Sequence, residues 1–387
     1  PPTAESLWVV RVIPWMMEEE PELWKKAHKY LMLSAYLHSK LVGKYIDSIS
    51  GQTGRMPLQY KKQKWDSRLG MKSQIFQIPK RMLYPIVPAR TVLGKITKEA
   101  SRASGISEGI PVIAAGSDKA CETLGVGCVD SFTASVSLGS QATVQINTKD
   151  YFEVLKFIPP FPSVIPQYFS PEITVYRGFW MISWFKELFK SVEDEADEKE
   201  VSTEEIYNRK LNTIPAGSDG LLLQPFWGNE VKRPESRGAI IGFKENHSGL
   251  HIYKAIIEGI GFALREGIDK IEQKTKTDIQ RIGISGGGSS SDEICQIMAD
   301  IFNKPVHKVQ TAETSALGAA ICGFVGLGVY PDFPSGVDGM VRYERTYEPD
   351  PKTKEKYERL YQGIYVRIYG KLQALYKELE KIESGEQ

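Results

Sequence analysis

Asp118 has the setting in this chain that most invites chemistry. It lies in residues 113–127, IAAGSDKACETLGVG, a carboxylate among small residues just after the apolar run PVIAA at 111–115. The run predicts a strand that ends at Gly116, with Asp118 at the turn into a helix. Open α/β sheets bind ligands beyond the carboxyl ends of their strands, and the small Gly116 and Ala120 leave room for a substrate to approach. A carboxylate there can serve as a general base. Aspartate is equally a favoured N-cap, and a helix over 119–126 needs one; local pattern alone leans to the cap. Lys119 also has two readings, as a substrate contact or as a solvent-facing residue of the first turn.

Two small-residue turns are the next candidates. Residues 133–147, TASVSLGSQATVQIN, alternate with period two and predict a hairpin, with Val136 and Leu138 on one strand and Ala142, Val144 and Ile146 on the return. Gly139 and Ser140 read as its two-residue turn. Such a turn exposes backbone N–H groups able to surround phosphate oxygens, although any tight hairpin favours glycine there. Gly286, Gly287 and Gly288 follow a predicted strand at 281–285. Three successive glycines are costly unless the backbone turns sharply or lies close to a ligand, so nucleotide contact and mere turn both fit. The pattern is neither GxGxxG nor a P-loop. His247 and His251 have the spacing of a shared metal site, but Gly249 separates them and no cysteine or carboxylate partner is apparent, so no metal ligand is assigned.

The elements that must position these groups read as follows. The N-terminal part is mainly helical to about Lys44, where Gly43 offers a stop, and residues 47–90 are rich in loops. Residues 179–185, FWMISWF, predict a core helix rather than a stacking platform. The acidic run at 191–205 predicts an exposed, mobile connection. A buried strand at 238–242 leads to a long helix striped by Ile256, Ile260, Leu264, Ile268 and Ile271. After the glycines, Ser290 and Glu293 match a capping box. A strand at 305–309, a small-residue helix at 314–326 and a charged amphipathic helix at 352–383, with Tyr361, Ile364, Tyr365, Ile368, Leu372 and Leu375 inward, complete the chain. Strands alternating with helices argue for an α/β fold with parallel pairing.

Composition narrows the function classes. In 387 residues, 49 basic and 48 acidic side chains leave a formal charge of +1, and the basic clusters are short, which argues against a nucleic-acid partner. No apolar run approaches the ~20 residues of a membrane span. The four cysteines show no metal spacing and read as reduced thiols of a cytoplasmic protein. The length predicts two domains.

The order of hairpin, GAIIGF at 238–243, HIYKAIIE at 251–258, SGGGSSS at 285–291, QIMAD at 296–300 and ALGAA at 316–320 resembles the C-terminal half of the FGGY carbohydrate kinases, with Phe243 where a smaller aliphatic residue is usual. Asp47-Ser48, Trp65 and GIPV at 109–112 fall in family order upstream. The resemblance implies an α/β, actin-like (ribonuclease H-like) two-domain ATPase fold. Residues 1–130 are then the remainder of the N-terminal, sugar-binding domain and residues 131–387 the C-terminal, nucleotide-binding domain. Because the match begins after the family's first phosphate loop, the first domain is expected to be incomplete at its N-terminus. The resemblance further implies ATP and Mg²⁺ as cofactors and a small-molecule sugar, sugar acid or polyol as partner; a homo-oligomer is compatible with it. It makes Asp118 the catalytic base and a substrate contact, with Lys119 beside it. Gly139 and Ser140 become the phosphate loop, with Gln141 replacing a more usual small residue, and Gly286, Gly287, Gly288 and Ser291 border the adenosine. A non-catalytic nucleotide- or sugar-binding homologue is the alternative.

Overall fold

The alternating stretch at 133–147 forms the hairpin its pattern predicts, Thr133–Leu138 against Ala142–Gln145, but every residue of both strands is buried. The hairpin is central rather than half-solvated, which explains why polar Ser135, Ser137 and Thr143 are buried alongside the aliphatics. In the computed structural model, which describes residues 4–54, 56–189, 200–228 and 233–385 (backbone only for 4–11), the chain divides into two compact units. The first holds residues 1–130, 147–171 and 314–341, the second residues 131–146, 172–313 and 342–387.

The second unit is built on a six-stranded mixed sheet in the order Glu172–Val175, Ala142–Gln145, Thr133–Leu138, Arg281–Ser285, Val306–Val309, Tyr343–Tyr347. Arg281–Ser285 pairs in parallel with both neighbours, and the remaining ladders are antiparallel. The helix Gly249–Thr275 buries Ile256, Ile260, Leu264, Ile268 and Ile271 as its stripe requires, each to 1% exposure or less. Each such side chain stabilises the fold by about 1.5–3 kcal/mol. The strand Ala239–Ile241 pairs with the buried strand Leu222–Gln224 but is itself only half-buried, as the outer strand of a two-stranded ribbon.

The C-terminal helix departs from its expected phase. It runs as Pro351–Leu360, a π-helical turn Tyr361–Tyr365 and Val366–Ser384. Tyr357, Tyr361, Tyr365 and Ile368 are buried, but Ile364 and Leu375 are 43% and 60% exposed. A wide turn inserts a residue and rotates the following face, so a stripe drawn at constant period drifts off the core. The tyrosines pack around Phe262, and Tyr357 donates to the fully buried Glu258, whose pKa burial raises.

In the first unit the decisive packing is between Asp118–Gly125 and Thr314–Gly326. A Cβ on Gly318 would lie 1.9 Å from the Cys121 carbonyl oxygen, and one on Gly125 would lie 2.0 Å from that of Thr314. Gly318 and Gly125 are therefore required where the two backbones touch. The Cys121 and Cys322 thiols meet at this crossing, lowering the pKa of the first and raising that of the second; all four cysteines are free and buried. The predicted mobile connection at 191–205 falls mostly outside the described residues, but its end is ordered as the helix Thr203–Lys210, capped by Ser202.

Candidate active site

Asp118 is the first residue of its helix, not the cap. Ser117 caps, its Oγ accepting the Ala120 N–H at 3.2 Å. The expectation of an aspartate cap fails because the chain leaves the extended conformation one residue earlier, at Ser117 with φ −62° and ψ 163°. The Asp118 side chain is thereby released. Among the described residues its Oδ1 accepts only the Lys119 N–H, at 2.8 Å, and the residue is exposed. Ser315 fixes the backbone by donating to the Asp118 carbonyl at 3.1 Å.

The surroundings correct two further expectations. The preceding strand, Pro111–Ile113, belongs to a two-stranded antiparallel ribbon with Val92–Lys95, so Asp118 does not follow a strand of an open parallel sheet. Nor does Gly116 leave space for a substrate: a Cβ there would lie 2.5 Å from Val164 Cγ1 and 3.0 Å from Ala120 Cβ. Lys119 turns along its helix, Nζ donating to Glu122 Oε2 at 2.6 Å, and compensates a carboxylate whose side chain is only 9% exposed.

In the second unit, Gly139, Ser140, Gly287 and Gly288 line one cavity of about 540 Å³. The loop at its rim has three residues, 139–141, since Leu138 pairs directly with Ala142; the expected two-residue turn is one residue too short. Gly139 and Ser140 carbonyls accept from the N–H groups of Phe179 and Trp180, which fixes the loop.

Each of the three glycines has its own reason. Gly286 takes φ +82°, and a Cβ on it would lie 2.7–3.0 Å from the backbone of Leu138 and Gly139. Gly288 lies under Phe179, whose ring would be 2.5 Å from an added Cβ. Gly287 meets nothing within 4 Å and opens on the cavity. Gly286 and Ser291 do not line it. Ser291, rather than Ser290, is the N-cap of Asp292–Phe302, its Oγ accepting from Ile294 N and donating to Glu293.

Apart from Tyr253 of HIYKAIIE, the rest of the lining comes from segments that carry no motif. The helix Trp180–Leu188 is a core helix through Met181, Ile182 and Phe185, yet Ile182 and Ser183 reach the cavity. Glu204, Asn208 and Tyr253 complete it. No spacing joins these residues in sequence; only folding does. His247 and His251 accept the Lys244 and Ser248 N–H groups at Nδ1, serving the entry to the long helix. No set of three or more His, Cys, Asp or Glu side chains able to hold a metal occurs among the described residues.

Residues 3–125 match the N-terminal domain and residues 134–327 the C-terminal domain of the FGGY family of carbohydrate kinases. The chain belongs to that family. It is 32% identical over 355 residues to the uncharacterized sugar kinase YgcE of Escherichia coli, covering 91% of this chain and 72% of that protein. It is 28% identical over 365 residues to a xylulose kinase of Lactococcus lactis, with 92% and 70% covered. Among solved structures, the xylulose kinase of Rhodospirillum rubrum superposes with a TM-score of 0.82 at 21% identity over 95% of this chain and 73% of that one. The gluconate kinase of Lactobacillus acidophilus gives 0.82 at 24% identity, over 96% and 73%. The fold is therefore the α/β, two-domain actin-like ATPase fold of the FGGY sugar kinases, and the chain is a carbohydrate kinase.

Proposed function

We propose that this kinase transfers the γ-phosphoryl group of ATP to a hydroxyl of a sugar, sugar acid or polyol, with Asp118 as general base. The observation that carries this reading is the state of Asp118. Its carboxylate is exposed on a rigid helix start, relieved of capping by Ser117 and, among the described residues, without an ion-pair partner. The substrate hydroxyl gives its proton to this carboxylate as its oxygen bonds to the γ-phosphorus, and ADP leaves.

The second unit supplies the nucleotide pocket. Backbone N–H groups at Gly139 and Ser140 suit phosphate oxygens, and Gly287 lets the nucleotide approach; Gly286 and Ser291 act behind it, as supports of the lining. Mg²⁺ would accompany the nucleotide and neutralise phosphate charge when bound. Lys119 is the second substrate-side group. The free thiols suit a reducing compartment such as the cytoplasm. Xylulose and gluconate kinases among the similar proteins, and a glycerol kinase of Plasmodium falciparum with a TM-score of 0.73, support a polyhydroxylated substrate.

The test is ADP release with ATP, Mg²⁺ and a panel of ketoses, sugar acids and polyols, with Asp118→Asn in parallel. Substrate-dependent release that the variant abolishes is expected. Release that Asp118→Asn leaves intact would remove Asp118 from the reaction.

A further inference from the structure

The stripe of the C-terminal helix that misses the core has an order of its own. Along Val366–Ser384 the residues Ile368, Leu372, Leu375, Leu379 and Ile382 follow one another at intervals of four, three, four and three, the alternation by which one helix meets another. Leu375, Leu379 and Ile382 are 60%, 45% and 69% exposed, so the described residues leave this end of the stripe open. Other sides of the helix are engaged within the chain, where Tyr369 and Gln373 hydrogen-bond Glu235 and Tyr376 is buried. The two halves of the open face differ in shape. The first is an apolar groove of about 300 Å³ lined by Ile364, Ile368, Lys371 and Leu372 together with Ile241 of the half-buried ribbon. The second is the exposed row Leu375, Leu379 and Ile382.

We propose that this face pairs with the same face of a second copy of the chain, the two helices running antiparallel about a twofold axis that passes between Gln373 and Ala374. This register sets Leu379 of each copy against the partner's Ile368 and Leu375 against the partner's Leu372, so the exposed row of each fills the groove of the other. Charge selects a second copy as the occupant. Lys371, at the groove, has no ion-pair partner among the described residues, and Glu378 lies no nearer than 3.8 Å to Lys381 with its side chain 65% exposed. The two are seven residues apart, hence on one flank of the stripe, and the antiparallel register brings Lys371 of each copy beside the partner's Glu378. A parallel pairing sets Glu378 against the partner's Glu383, like charge against like. With four basic and three acidic side chains, Val366–Ser384 is also too balanced for a helix that lies on an anionic membrane. One helix against its copy is a small contact, so the pair is expected to dissociate on dilution.

The experiment is sedimentation equilibrium of the full chain over about 1–100 μM, where a monomer–dimer equilibrium is expected. Leu379→Glu puts a charge into the seam at an exposed position where a helix accepts glutamate. It is expected to weaken association at least about 100-fold and to leave the unfolding midpoint of the dilute chain at the parent value. Lys371→Glu sets like charges together across the pair and is expected to weaken it about 3–10-fold. Lys371→Glu combined with Glu378→Lys only reverses each charge pair, and is expected to restore the constant to within about 3-fold of the parent. A chain that stays monomeric throughout, or a dimer that Leu379→Glu leaves intact, overturns the second copy as occupant and leaves the face to another protein or a membrane. A dimer that Leu379→Glu weakens but that ignores Lys371→Glu, or that the double exchange does not rescue, overturns the antiparallel pairing.

Discussion

Around Asp118 nearly every side chain is occupied by a neighbour. Ser117 caps the helix, Lys119 neutralises Glu122 and the space beside Gly116 is filled by Val164. The glycine-lined cavity is instead about 540 Å³ of open space, bordered by loop backbone at Ser140 and Gly287 and by the Glu204 and Asn208 side chains, which Lys186 and Tyr253 hold. The contrast follows from the two tasks proposed for these regions. A general base needs one exposed oxygen on a stiff mount, and everything nearby can be spent on stiffness. A nucleotide needs surface from several segments, so the cavity is assembled from five stretches of sequence separated by tens of residues.

The sharpest way to break this comparison is Asp118→Asn. It should lower kcat by about 10²–10⁴-fold and leave ADP binding at the parent value, measured by steady-state kinetics and calorimetry. A parallel loss of nucleotide affinity would show that the two regions are not separable. Gly318→Ala should come next. Its Cβ would strike the Cys121 carbonyl, a backbone atom that cannot step aside, and the expected loss is about 2–3 kcal/mol in urea unfolding. Little or no loss would mean that the mount under Asp118 is soft.

In the cavity, adjacent glycines should respond differently. Gly287→Ala adds a methyl group to open space and should leave the unfolding midpoint unchanged while weakening ADP about 10-fold. Gly288→Ala drives a methyl group into the Phe179 ring and should cost about 1–3 kcal/mol in stability. Equal behaviour of the two would deny that Gly287 has the open space which Phe179 takes from Gly288.

How much of this the sequence displays depends on the range of the interaction. The hairpin, the stripe of Gly249–Thr275 and the glycine turn are legible because each is a periodic or local signal. The cap at Ser117 and the three-residue loop at 139–141 were each displaced by one residue, since Asp and Ser are near-equal caps and hairpin register is set by pairing across strands. The exposure of Ile364 and Leu375 was hidden by a π-turn that no residue type announces. Within ALGAA at 316–320, Gly318 packs on the Asp118 helix while Ala316, Ala319 and Ala320 are exposed, a difference that five small residues in a row do not announce. Glu204 and Asn208 carry no signal at all before folding.

The smallest effect decides what Lys119 does. Its Nζ lies 2.6 Å from Glu122, and at 32% exposure the pair is partly screened, so its worth to stability is about 1 kcal/mol at most. If Lys119 serves only that carboxylate, Lys119→Met and Glu122→Gln should lower stability by similar amounts, the double variant should be no worse than either, and the sugar KM should not move. If it also meets the substrate, Lys119→Met should raise the sugar KM about 3–10-fold with ADP binding unchanged, and Glu122→Gln should not. The substrate contact predicts the second outcome. A KM that follows Glu122 as closely as it follows Lys119 would return the lysine to the mount and leave Asp118 as the one side chain of this turn that the substrate meets.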